Sequence, residues 1–197
     1  MICKKSDSRS AHIASDCLMA GGLAVLPTDT VYGFSGIVDL STFSKHFKIE
    51  DRIRAVKGRS ESKPFIELLA SPQDICAYTD IAVPPSLLEK WPGALTIIVP
   101  VRKDAPFAAS LPSVAFRCPG DAWLRSVIAA CGAPVYSTSV NRSGRPVLDS
   151  VDAIAAEFGR ELDLIVDDGD KKGALPSTIV SLMDGTVRLV RQGAVSI

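Results

Sequence analysis

Apolar residues fall along the chain in short runs broken by polar turns. The first strong run, Leu23-Ala24-Val25-Leu26, reads as a buried strand. Pro27 stops it, because proline has no N–H to continue a ladder. Further strands are expected at 37–38, 65–69, 95–101, 114–117, 134–138, 164–166, 179–182 and 187–190. Helical spacing appears between them. Residues 10–20 place Ile13, Cys17 and Leu18 on one side, with Gly21-Gly22 as the stop. Residues 41–48 carry Phe43 and Phe47 at i,i+4, and residues 50–56 deliver Lys57-Gly58-Arg59. Ser71-Pro72 reads as an N-cap with proline at the first helical position, opening a helix to about residue 78. Residues 84–91, 121–131 and 150–158 supply three more helices, and Asp184-Gly185 has the composition of a two-residue hairpin turn.

Strands and helices mix without strict alternation. The pattern favours one α/β domain over residues 1–197, an open, twisted, mixed sheet with flanking helices, rather than a regular doubly wound fold. No internal repeat, low-complexity tract or linker interrupts it.

Composition adds constraints. A length of 197 residues with 47% hydrophobic content supports a substantial core. Lys+Arg and Asp+Glu both number 22, a balance that weighs against a protein held mainly by nucleic acid but leaves room for a local basic pocket. The five cysteines are odd in number and widely spaced, and none sits at metal-knuckle spacing. A reduced protein with buried thiols, Cys118 among them, is expected. No apolar run approaches the roughly 20 residues of a membrane span. The polar segment from Met1 to Ser10 lacks the apolar core of a signal peptide. These features lead us to expect a soluble, cytoplasmic protein that does not engage a membrane. The two histidines, His12 and His46, give little material for a triad and read as structural or surface residues.

Several strands release polar groups where they end. These are Thr28 and Thr30; Arg117; Ser137, Ser139 and Asn141; Ser177 and Thr178; and Arg191. Lys57, Arg59 and Lys63 precede the strand at 65–69. Ligands of open α/β sheets bind beyond strand ends, so these groups would line one cleft if they share a face. Each also has a plainer reading: an Asx/Ser-Thr turn at 28–30, a solvated helix end at Lys57 and Arg59, a hydroxyl-rich turn at 137–143, a strand start at 176–178, and surface cations at Arg117 and Arg191. Asp167, Asp168 and Asp170 offer oxygens for Mg²⁺, although a solvated turn is the simpler account. No GxGxxG and no glycine-rich loop ending in Gly-Lys-Ser/Thr occurs, so any nucleotide site is of another kind. The Asn141-Arg142-Ser143-Gly144 turn can present backbone N–H groups to an anion.

In order along the chain stand Pro27-Thr28-Asp29-Thr30-Val31-Tyr32-Gly33, Lys57-Gly58-Arg59, Pro92-Gly93-Ala94-Leu95-Thr96, Phe116-Arg117-Cys118-Pro119, Ser137-Thr138-Ser139-Val140-Asn141-Arg142-Ser143-Gly144, Pro176-Ser177-Thr178-Ile179 and Arg191-Gln192-Gly193-Ala194-Val195. Together they resemble the YrdC-like, threonylcarbamoyl-AMP synthase family, from about Gly22 to the end. The resemblance implies a twisted open sheet with a cationic concave face. It implies a nucleotidyltransferase that makes threonylcarbamoyl-AMP and pyrophosphate from L-threonine, bicarbonate and ATP, for threonylcarbamoyladenosine (t6A) in tRNA. It places Thr30, Arg117, Ser139 and Ser177 on the threonine side, with Arg117 on the carboxylate. It places Lys57, Arg59, Ser137, Asn141, Arg145 and Arg191 on the ATP side, with Lys57 and Arg59 as catalytic cations. Mg²⁺ would ride on the phosphates, Tyr32 would wall the pocket, and t6A-pathway proteins would be partners. A second reading is a non-catalytic member whose cationic face holds tRNA or double-stranded RNA. The chain departs from the family pattern at Ser60, Glu67, Val140 and Val147-Leu148-Asp149-Ser150. Glu67 carries an expectation of its own: a carboxylate beside a phosphate or the threonine carboxylate would repel it.

Overall fold

The computed structural model describes residues 1–58, 65–107 and 111–197. Arg59, Lys63 and Ser60 therefore lie outside the described residues. The strands are β1 (Ile2–Lys4), β2 (Ala24–Leu26), β3 (Gly33–Ile37), β4 (Ile66–Leu68), β5 (Leu95–Pro100), β6 (Ser113–Arg117), β7 (Val135–Ser139), β8 (Leu164–Asp167), β9 (Thr178–Ser181) and β10 (Arg188–Arg191). They form one sheet in the order β1-β8-β2-β3-β7-β4-β6-β5-β9-β10. The pairs β1·β8, β2·β8, β4·β6 and β5·β9 are parallel; β2·β3, β3·β7, β4·β7, β5·β6 and β9·β10 are antiparallel. The expected mixed sheet is thus observed.

Helices α1 (Ser10–Met19), α2 (Ile49–Lys57), α3 (Pro85–Leu88), α4 (Ala122–Cys131) and α5 (Val151–Phe158), with a 3₁₀ helix at Pro72–Ala77, flank the sheet. Residues directly opposite across a ladder share a face, so the register sorts the side chains. One face carries Ala24, Leu26, Ile37, Leu68, Val135 and Leu164, which share a core with Leu18 of α1 and Leu124 and Val127 of α4. The other carries Val25, Phe34 and Ile165 against Ile49 and Ile53 of α2 and Ile154 and Phe158 of α5. The Phe34 and Phe158 rings meet edge to face at 5.0 Å. Further along this second face, Tyr78 and Phe107 lie against Phe116.

Helices α1 and α4 do not extend over the whole first face. Ile66 of β4, Ile98 of β5 and Ile179 of β9 stay half-exposed there, while their neighbours in sequence are buried. Period-two alternation of this kind marks a sheet face open to solvent or ligand.

Caps follow the residue chemistry. The Asp121 carboxylate accepts from the Leu124 N–H at 3.0 Å to open α4, and Ser150 opens α5. Ser71 and Asp74 form a reciprocal capping box, although the element that follows is 3₁₀ rather than α.

Two local expectations fail, and two strands differ from the sequence reading. Residues 41–48 form no helix. The Asp39 carboxylate accepts from the N–H groups of Phe47 and Lys48, both at 2.9 Å, and Ser41 N–H donates to Pro106. These bonds outcompete a short helix whose nucleation is costly. The Phe47 ring packs instead on Gly21, where a Cβ would stand 2.1 Å from it. At the β9–β10 connection, residues 182–187 separate the paired Ser181 and Arg188, so Asp184-Gly185 sits in a longer turn. Asp184 accepts from the Thr186 N–H and hydroxyl, and Gly185 takes a left-handed φ of 78°. The second strand expected to reach Ile37 and Val38 starts at Gly33 and ends at Ile37, with Val38 just beyond it. Strand β1 lies in the polar N-terminal segment, held by parallel pairing with β8 rather than by its own pattern.

Candidate active site

The open half of the first face is a cavity of about 200 Å³ lined by Thr28, Thr30, Tyr32, Ile66, Arg117, Ser137, Ser139, Ser177, Ile179 and Arg191. Strand ends separated in sequence therefore do converge. A roomier cavity of about 400 Å³ lies between the 3₁₀ helix and the end of α4. Of its polar side chains, Ser71 and Asp74 are already engaged in the capping box.

Pro27 ends β2, and the next residues turn their hydroxyls inward. Thr28 Oγ1 accepts the Thr30 N–H at 3.0 Å and donates to the Val31 carbonyl at 2.8 Å. With its single proton so used, it must accept from Thr30 Oγ1, 2.9 Å away. Thr30 Oγ1 in turn accepts from Arg117 Nη1 at 2.9 Å. The result is a directional chain from guanidinium to carbonyl.

Arg117, at the exit of β6, is buried. Its Nε donates to the Gly93 carbonyl at 3.0 Å, and its Nη2 to Asp29 Oδ1 at 2.6 Å. Burial lowers its pKa, and the Asp29 charge opposes that shift.

Arg191, at the end of β10, donates from Nη2 and Nε to the Ser177 carbonyl at 2.8 and 3.2 Å. Ser177 Oγ lies 2.8 Å from the buried Thr96 Oγ1. Desolvation depresses the Arg191 pKa, and the positive charge of Arg117 depresses it further. Two cations thus face one cavity, the arrangement an anion needs. The segment after Arg191 is pinned by Thr178 Oγ1, which accepts from the N–H groups of Gly193 and Val195 at 2.9 and 3.1 Å. A Cβ on Gly193 would lie 2.2 Å from the Pro176 carbonyl oxygen. Gly193→Ala is therefore expected to unseat Arg191 and lower Tm by several degrees, with weakened binding of anions such as pyrophosphate. Thermal unfolding and calorimetry check this, and an unchanged Tm would show that the contact is slack.

Lys57, expected as a phosphate ligand, is not among the residues that line the cavity. Its ammonium, at the buried end of α2, donates to the Ser139 carbonyl, to the Asn141 carbonyl at 3.1 Å and to Asn141 Oδ1 at 2.9 Å. It also stands 5.3 Å from the Phe34 ring. Asn141 Oδ1 accepts from Ser139 Oγ at 2.8 Å, and its amide donates to the carbonyls of Arg145 and Arg142. Lys57, Ser139 and Asn141 form one network that shapes the turn after β7, with Arg145 exposed beyond it. Ser137 borders the cavity itself, and its Oγ would lie 2.6 Å from a Cβ at Gly33, so a side chain there would force that hydroxyl to turn away.

Tyr32 walls the cavity and clamps the loop after β8. Its hydroxyl donates to the Gly169 carbonyl at 2.7 Å and accepts the Asp168 N–H at 2.9 Å. Burial pushes its pKa up to about 12. The Asp168 carboxylate is paired with Lys171 at 2.7 Å and Lys5 at 3.2 Å, as suits a charged turn. The remaining cysteine and histidine chemistry stays out of the site. Burial raises the Cys118 pKa to about 11, and a His46 ring nitrogen meets the Leu40 carbonyl.

Glu67 overturns its expectation. Register pairs it with Tyr136 and Phe116, on the face opposite Ile66 and Ser137. Its side chain therefore points away from a ligand in the cavity. It is buried, its Oε2 has no hydrogen-bond partner among the described residues, and burial with help from the Glu50 charge raises its pKa to about 8.

Sequence reasoning passed over three contributors. Asp29, the Gly93 carbonyl and Thr96 all lie inside the motifs quoted above, yet no local signal says that they touch Arg117 or Ser177.

Residues 16–193 match the family model Sua5/YciO/YrdC, described as telomere recombination. The chain belongs to that family. Its Sua5/YciO/YrdC relatives include the threonylcarbamoyl-AMP synthase of Bacillus subtilis, 30% identical over 192 residues. That alignment covers 93% of this chain and 53% of the relative. The threonylcarbamoyl-AMP synthase of Pseudoalteromonas translucida is 26% identical, with 92% of this chain and 98% of the relative covered. Among solved structures, Pyrococcus abyssi Sua5 complexed with L-threonine superposes with a TM-score of 0.79 at 28% identity, over 93% of this chain and 54% of that one. The chain thus spans about half the length of the Bacillus and Pyrococcus proteins. No helix among the described residues is long and apolar enough to cross a membrane.

Proposed function

We propose that this protein is an L-threonylcarbamoyladenylate synthase, a nucleotidyltransferase acting in the cytoplasm on L-threonine, bicarbonate and MgATP as one domain over residues 1–197. The observation that carries the reading is the pair Arg117 and Arg191 beside the hydroxyls of Thr30 and Ser177 in one cavity. An amino-acid carboxylate suits Arg117, three of whose five N–H donors are engaged and two of which remain for a ligand. Ser139 and Ser177 offer the hydroxyl contacts of the threonine side.

The threonine amine takes up bicarbonate, with loss of water, to give a carbamate. A carbamate oxygen attacks the α-phosphorus of ATP, and the bond to pyrophosphate breaks. Such a transfer depends on alignment and charge neutralisation. Arg191 and Arg59 neutralise the phosphates, and Ser137 and Arg145 flank them. Lys57 and Asn141 serve the ATP side by shaping the turn after β7. Mg²⁺ arrives on the nucleotide. The half-exposed Ile66 and Ile179 give the cavity an apolar floor for the nucleotide or the threonine methyl. The product's threonylcarbamoyl group would pass to tRNA adenosine with t6A-pathway proteins.

With MgATP and bicarbonate, pyrophosphate release is expected to rise at least tenfold on adding L-threonine. Equal release with L-alanine or with no amino acid would remove the assignment. Binding of tRNA or double-stranded RNA without any threonine-dependent release would favour a non-catalytic RNA-binding role.

A further inference from the structure

Arg117 is only 4% exposed, so its charge needs a counter-charge close by. Among the described residues, Asp29 is the one carboxylate paired with it, at 2.6 Å. Asp29 is not among the residues that wall the cavity. It is paired with Arg117 off the cavity lining, and its Oδ2 lies against Gly120, where an added Cβ would be 2.8 Å away.

We propose that Asp29 is a positioning residue for threonine capture, acting through Arg117, and that Gly120 is the vacancy that lets it do so. The inference rests on the reading that Arg117 takes the threonine carboxylate. The Gly93 carbonyl, Thr30 and Asp29 hold Nε, Nη1 and Nη2 respectively. Three anchors on three nitrogens fix the plane of the guanidinium before any ligand arrives. Carboxylate recognition by a planar fork is sensitive to that plane. Of the three anchors only Asp29 also supplies charge. It keeps the buried guanidinium from swinging toward solvent or toward the half-open Arg191 side. Gly120 follows because the chain after Arg117 passes directly over the carboxylate, and any side chain there would displace it.

Two variants separate charge from space. Asp29→Asn keeps the shape and removes the charge. Gly120→Ala keeps every charge and crowds Oδ2; Gly120 has no left-handed φ, so alanine is conformationally allowed. Threonine titrations by calorimetry and steady-state pyrophosphate release are measured on the full chain. The KM for threonine and its Kd are expected to rise at least tenfold in Asp29→Asn and at least threefold in Gly120→Ala, while the KM for ATP stays within twofold. The Arg117 Nε–H resonance is expected to exchange faster with solvent in both. Wild-type threonine affinity in both variants, or equal losses for threonine and ATP, overturns the proposal. If Asp29→Asn does not fold, Gly120→Ala decides. If the wild type itself neither binds threonine nor releases pyrophosphate with it, the proposed function falls and this inference with it. Wild-type activity with unaffected variants removes Asp29 alone.

Discussion

Lys57→Met is expected to destabilise the protein and to abolish ATP-dependent turnover together. Methionine keeps the apolar stem but removes the ammonium. The Ser139 and Asn141 carbonyls and Asn141 Oδ1 then lose the donor that ties them to α2. Removing one partner of a buried charged network costs about 3 kcal/mol, or roughly 6–12 °C in Tm for a chain of this size. The turn that carries Asn141 and Arg145 should then sample other shapes, and ATP affinity should fall at least tenfold. Asn141→Ala should reproduce much of the effect, because it removes the shared hub from the other side. Calorimetric ATP titration beside thermal unfolding separates two models. A lysine that touched phosphate directly would give weaker ATP binding with an unchanged Tm, and that outcome would refute the organising role.

The second large effect concerns pH. Glu67 is buried among Phe116, Tyr136 and Tyr78, with the Glu50 carboxylate as a further repulsive neighbour and, among the described residues, no cation paired with it. Its folded pKa is raised from 4.5 to about 8. The folded state therefore holds a proton that the unfolded state releases between those two values. Stability from this group is fully present below the unfolded value and is lost as pH rises through the folded one. The full loss is roughly 4–5 kcal/mol, on the order of 10 °C in Tm. Glu67→Gln cannot ionise. The variant is expected to be no more stable than wild type near about pH 5 and clearly more stable near about pH 9, so that the two stability curves cross. Thermal unfolding across that range checks it; parallel curves would mean that Glu67 is ionised and paired in solution.

Much of the fold was legible because period and punctuation agree. The run Leu23–Leu26 before Pro27, the β-branched run from Leu95, and the caps Asp121 and Ser150 all declare themselves locally. The failures share a cause. At 41–48 the aromatic spacing of Phe43 and Phe47 suggested a helix, but Asp39, just before the segment, and Pro106, far along the chain, accepted its backbone N–H groups instead. Strand β1 exists because β8 offers it a free edge. Asp184-Gly185 made its turn, but the strands began pairing further out than that dipeptide could say.

The candidate site divides in the same way. Residue types at strand ends, hydroxyls followed by cations in a set order, could be read from the chain alone, as could the family they resemble. Direction could not. Whether Glu67 faces the ligand depends on register with Tyr136, and a strand shows only alternation until a partner fixes its faces. Whether Lys57 meets a phosphate or a carbonyl depends on where the turn after β7 lies, 82 residues away. Composition and order determined which chemical groups this protein brings to its cleft. Packing of distant segments decided which of those groups point into it and which hold the others still, because hydrogen bonds and burial are settled by neighbours that the linear chain does not place.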